Sequence, residues 1–133
     1  MRYPEILAYV ERIGKFKDPG EAEKAIRAVL AAFARRISPK EAHDFASQLP
    51  KELASSMDAV TEHEEFRLDE FFERIGEKLG ISPAEGMHHA EVVLGVVQEA
   101  VDTGELEDFF PELAPEFVLF LNKSAVVIKT WRK

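Results

Sequence analysis

Between residues 22 and 37 the apolar side chains Ala22, Ile26, Val29, Leu30, Phe33 and Ile37 return every three or four positions, with Glu23, Lys24, Arg27 and Arg35 opposite them. That spacing is the helical one, and it predicts an amphipathic helix over about 19–36. Val92, Val93, Leu94, Val96, Val97 and Val101 are apolar around more of the circumference. They predict a second long helix, over about 83–101, buried on several sides and central in the fold. Shorter helical patterns cover about 4–13 and 68–78, then about 40–47 and 104–110, and a last helix begins near Pro50 and again near Pro115.

The punctuation between these patterns agrees with them. An oxygen-bearing residue followed three positions later by a glutamate marks a helix start, because each satisfies a backbone N–H of the other. Asp18/Glu21, Ser38/Glu41, Ser82/Glu85 and Asp102/Glu105 all have that spacing, and Pro19, Pro39 and Pro83 fall at the first helical position, where no N–H is needed. Gly14 and Gly76 stand where a left-handed, helix-ending residue is expected.

The chain also repeats itself. Glu-Arg-Ile-Gly occurs at 11–14 and at 73–76, and at an offset of 64 the pairs Pro19/Pro83, Glu21/Glu85, Leu30/Leu94, Glu41/Glu105, Asp44/Asp108 and Phe45/Phe109 are identical. An offset growing from 62 to 64 implies that "KFK" after the first tetrapeptide is replaced by "EKLGI" after the second. The expected fold is therefore all-α: two tandem, pseudo-symmetric repeats of three or four helices each, packed into one globular domain over 1–133. Repeat one runs over about 4–57, an acidic link over 58–67, repeat two over 68–121, and an apolar and basic C-terminal segment over 122–133.

The stretches "AIRAVLAAFARRISPKEAHDFASQLPKEL" and "GELEDFFPELAPEF" resemble the two repeats of the prokaryotic domain-of-unknown-function family 2267, across about residues 4–121. The resemblance implies an all-helical tandem-repeat domain and supplies no catalytic or binding residue. Two departures stand out: Leu113-Ala114-Pro115 replaces the simpler Leu49-Pro50 of the first repeat, and the apolar stretch after Leu121 lies outside the similarity.

Charge narrows the partners. The net charge is −8, and no Lys or Arg lies between Lys78 and Lys123, whereas nine Asp and Glu lie between Glu85 and Glu116. A nucleic-acid partner is not expected, since phosphate binding needs a basic footprint; a surface docking a basic partner is an alternative. With no cysteine, disulfides and thiolate chemistry are excluded. No membrane association is expected, and the expected location is cytoplasmic, from the lack of an apolar leader or span.

Candidate chemistry is sparse. Glu85 and His88 have the Glu-x-x-His spacing of di-iron bundles, with His89 adjacent, so these three are the metal candidates. Glu85 is equally a capping residue, and the first repeat has Lys24 where the motif needs histidine. The paired acids Glu41/Asp44 and Glu105/Asp108 fit helix N-termini better than acid–base work. No catalytic residue, cofactor or enzyme activity is expected. Phe117, Phe120, Leu121, Val127, Ile128 and Trp131 make the last segment unusually apolar and are the interface candidates, whether for a protein partner or a homodimer. The expected function is thus protein–protein association, with metal binding through Glu85 and His88/His89 as the alternative.

Overall fold

Eight α-helices follow one another along residues 1–132, which the computed structural model describes; Lys133, part of the basic C-terminus, lies outside the described residues. They are α1 (Tyr3–Gly14), α2 (Pro19–Arg36), α3 (Pro39–Ala46), α4 (Lys51–Asp58), α5 (Leu68–Leu79), α6 (Pro83–Gln98), α7 (Thr103–Phe109) and α8 (Pro115–Arg132), with a 3-10 turn at Phe110–Glu112. The described residues contain no strand, and none of their helices is long and apolar enough to cross a membrane.

The caps act as their sequences predict, with one qualification of chemistry. Ser38 and Ser82 form complete boxes with Glu41 and Glu85. Asp18 accepts from the Glu21 N–H at 2.8 Å and Asp102 from the Gly104 N–H at 2.7 Å, both without the reciprocal glutamate bond. Pro19, Pro39 and Pro83 open their helices.

The repeated tetrapeptide has a different place in each half. Gly14 is the last residue of α1, whereas Gly76 lies inside α5, and the left-handed residues are Lys15 (φ 56°) and Gly80 (φ 70°). α1 and α5 are both 12 residues long and begin 65 positions apart, which pairs the fully buried Ile6 with Phe71 and Val10 with Ile75. The two copies of Glu-Arg-Ile-Gly are therefore out of register with their helices. Burial of the apolar stripe sets the register, and the following loop is one residue shorter in the second half. The later helices keep the offset of 64: α2/α6, α3/α7 and α4/α8 begin at 19/83, 39/103 and 51/115.

The first helix of each half packs against the long helices of both halves: α1 on α2 and α6, α5 on α6 and α2, with α2 against α6 between them. One core results. The ring of Phe33, fully buried, lies 5.6 Å from Phe45, 5.9 Å from Phe109 and 6.5 Å from Phe71, so residues of both halves meet on it. α6 is central, as its apolar circumference predicts, with Val92 to Gln98 all buried; it stops at Gln98, three residues earlier than the pattern suggested. Two of its positions admit neighbours only because they have no side chain. A Cβ on Gly86 would stand 2.6 Å from the Phe72 carbonyl oxygen of α5, and one on Gly95 would stand 2.2 Å from Ile128 Cγ1 and 2.6 Å from the Ser124 carbonyl oxygen of α8.

The link after α4 has no helix and is held by arginines. The Glu64 N–H donates to the Arg35 carbonyl at 2.8 Å, and Arg36 Nε donates to the Phe66 carbonyl at 2.7 Å. Phe66 is buried beneath Arg74, whose guanidinium carbon sits 4.0 Å from the ring centre.

Two outcomes are expected. Replacing Gly95 by valine forces α8 outward and lowers stability by about 1–3 kcal/mol, as overpacking does, read by urea denaturation. A fragment ending at residue 62 loses the surfaces that cover α1 and α2, so circular dichroism of that fragment will show no cooperative melt.

Candidate functional site

Glu85, His88 and His89 lie together at the start of α6, in a shallow depression of about 390 Å³ shared with Phe16 and Glu21. Their hydrogen bonds are local. The Glu85 N–H donates to Ser82 Oγ at 3.1 Å, while the Ser82 N–H and hydroxyl both donate to Glu85 Oε1, at 3.2 and 3.0 Å. The backbone bond from Ser82, followed by the hydroxyl bond, holds the Glu85 carboxyl below its ordinary value. His89 Nδ1 donates to the Glu85 carbonyl at 2.6 Å, and the edge of its ring meets Phe16 at 4.8 Å. The His88 and His89 rings stand nearly perpendicular, 6.1 Å apart. Among the described residues no three of His, Asp and Glu are grouped to hold a metal ion.

The paired acids come together in a second place. Glu41, Asp44, Glu105, Asp108 and Glu112 line a cleft of about 460 Å³ between α3 and α7, with Lys40 at its edge. Glu41 and Glu105, and Asp44 and Asp108, are 64 positions apart in the chain and line this one cleft, whose Phe45 and Phe109 rings are 5.5 Å apart. Glu41 Oε1 accepts from the Ser38 N–H at 3.0 Å, and its buried Oε2 has no hydrogen-bond partner. Only Glu41 and Glu105 sit in the first turns of α3 and α7, where the helix dipole favours a carboxylate; Asp44 and Asp108 lie near the other ends of these short helices, contrary to the N-terminal place expected of them, and the acids together set up a negative potential across the cleft.

The interface candidates divide. Phe117, Phe120, Leu121 and Ile128 face inward, each no more than 7% exposed, so they are core residues: the last segment is the continuation of α8, packed along α6. Polar groups on that seam are matched, with Gln98 Nε2 donating to the carbonyls of Leu94 at 3.0 Å and Leu121 at 2.9 Å. Val127 is half-buried and Trp131 is 56% exposed. The outer face of α8 instead presents Leu119 (70% exposed) and Val126 (63%), seven positions apart and so in line on the helix. Neither stood among the candidates. Their exposure was hidden because every apolar position from 117 to 128 fits a helix that is buried somewhere, and only the placement of α6 decides which side is covered.

The family described as uncharacterized conserved protein (DUF2267) matches residues 3–120. The chain belongs to that family. The match takes in α1 to α7 and the first turns of α8, and the turns that cover Gly95 follow it. No curated protein matches the chain.

Capping accounts for Glu85, and this is testable. Ser82→Ala should cost about 1 kcal/mol at neutral pH, the same with and without added zinc. Because the folded-state pKa of Glu85 lies below its unfolded value, its contribution is complete above the unfolded value and disappears as the pH falls through the folded one. A zinc-dependent rise in melting temperature that vanishes in His88→Ala would show a metal site instead.

Proposed function

We propose that the protein is a non-enzymatic association module, and that its two halves are duplicated units whose shared core presents α8 for self-association. The observation that carries this is the outer face of α8. Leu119 and Val126 are two of the large apolar side chains left exposed and lie in line on it, while Trp131, also exposed, stands on another side near the end of the same helix. Removing a side chain of this size from water contributes roughly 1.5–3 kcal/mol, and a two-fold contact uses each twice. Lys123 reaches Glu91 at 3.7 Å beside this face, so the patch has a polar rim of both signs. The acidic cleft between α3 and α7 favours a second reading, docking of a basic segment.

Light scattering on the full-length protein should give a dimer. Leu119→Glu with Val126→Glu should give a monomer with an unchanged melt, since both side chains are exposed. Ile128→Ala should cost about 2–5 kcal/mol of stability without changing the partner contact at Leu119. A full-length monomer would reject self-association and turn attention to the acidic cleft.

A further inference from the structure

A groove of about 710 Å³ opens over α2 between α4 and α5, and its chemistry is the reverse of the rest of this acidic chain. Its floor is apolar and built of small residues, Ala28, Ala31 and Ala32 of α2, with Val60 and Leu79 at the sides. Its walls carry Lys24, Arg27 and Arg35 from α2 and Arg74 and Lys78 from α5; the three arginines are paired, Arg27 with Glu23 at 3.6 Å, Arg35 with Glu62 and Glu64, and Arg74 with Glu64 and Glu70, which leaves the two lysines as its open cations. Lys24 and Lys78 are exposed and make no ion pair among the described residues.

The other half shows what shape of partner this floor accepts. At the offset of 64 that aligns α2 with α6, Ala31 corresponds to Gly95 and Val60 to Ser124. On α6 that place is filled: α8 runs on past Ser124, and its Ser124 and Ile128 lie against Gly95. On α2 it is open, because α4 ends at Asp58 and the chain turns away into the link. The vacancy is thus helix-shaped, and from Lys24 to Arg35 it runs along about 16 Å of α2, three turns.

Charge selects the occupant. Over α6 the covering helix is basic and its neighbour acidic, Lys123 lying 3.7 Å from Glu91. The position equivalent to Glu91 is Arg27, so the sign is inverted. The groove also has a carboxylate docked at one end already: Glu64 of the link takes bonds from Arg74 at 3.1 and 3.2 Å and from Arg35 at 3.3 Å, and the Arg74 bonds hold its carboxyl below the ordinary value. A small amphiphile would meet only one part of walls whose cations are spread along the groove, and α8 of a second copy has the wrong sign.

We infer that this groove binds an acidic amphipathic helix of a partner protein, seated on Ala28, Ala31 and Ala32 with its carboxylates toward Lys24 and Lys78.

The probe is a labelled synthetic peptide with the sequence of residues 115–131 carrying Lys123→Glu and Lys129→Glu, measured by fluorescence anisotropy against the full-length protein. It should bind, with affinity falling about tenfold or more in Lys24→Glu/Lys78→Glu and again in high salt. The unaltered peptide should bind the wild type at least about tenfold more weakly. Both lysines are exposed and unpaired, so an unchanged melt of the variant separates loss of binding from loss of fold; Ala31→Phe, which fills the floor, should block the peptide without altering its walls. No binding, equal binding of the two peptides, or binding indifferent to the lysines would overturn the proposal. Laurate bound by the wild type and lost in the lysine variant, with no binding of the peptide, would overturn it too and assign the groove to a small anionic amphiphile.

Discussion

α6 is surrounded, and the fold depends on how closely its neighbours approach it. α1, α2, α5 and α8 all pack on this helix. Two close crossings occur where it has no side chain, at Gly86 beneath Phe72 and at Gly95 beneath Ser124 and Ile128. Helix axes brought this near bury backbone as well as side chains, and the polar groups that become enclosed must be matched. Ser124 bonds back to the Phe120 carbonyl, and Gln98 ties α6 to the Leu121 carbonyl of α8. The valines between the glycines are consequently buried whichever way they point.

Around that axis the halves share a core while differing at their surfaces. Each half's first helix covers the other half's long helix, so separating them would expose Ile6, Val10, Phe71 and Ile75, all fully buried. The link runs between them under the guanidinium groups of Arg35, Arg36 and Arg74, and its residues titrate accordingly. Hydrogen bonding to Arg74 lowers Glu64, hydrogen bonding to His63 lowers Glu65, and the same bond raises His63. The carboxylates help to hold the link above their unfolded values and cease to do so in acid. The His63 contribution is complete below the unfolded histidine value and is lost as the pH rises through the folded one.

The largest difference between the halves lies in the fourth helix. α4 has 8 residues and α8 has 18, so the surface that α8 covers on α6 is bare on α2. Both features singled out as functional descend from this inequality: an outer face on α8 with Leu119 and Val126 in water, and an apolar floor on α2 walled by cations. In the sequence, Lys24, Arg27 and Arg35 are simply the wet side of an amphipathic helix. The signal that a groove lies among them is the run of alanines at 28, 31 and 32, too small for a solvated face to need and suited to close approach.

The order and type of the helices were legible in the chain because they rest on local physics: a 3.6-residue apolar period, prolines at first turns, and side-chain oxygens that satisfy the first N–H groups. Family membership was legible for the same reason, being carried by those patterns across residues 3–120. Register was not. Glu-Arg-Ile-Gly is identical in both copies, yet Ile13 belongs to the last turn of α1 and Ile75 to the middle of α5, since which apolar stripe is buried depends on the helix it meets. Nor was the fate of the last segment legible: Phe117, Phe120, Leu121 and Ile128 are core and Leu119 and Val126 are surface, because a helix that is apolar on all sides states no preference, and only the position of α6 supplies one.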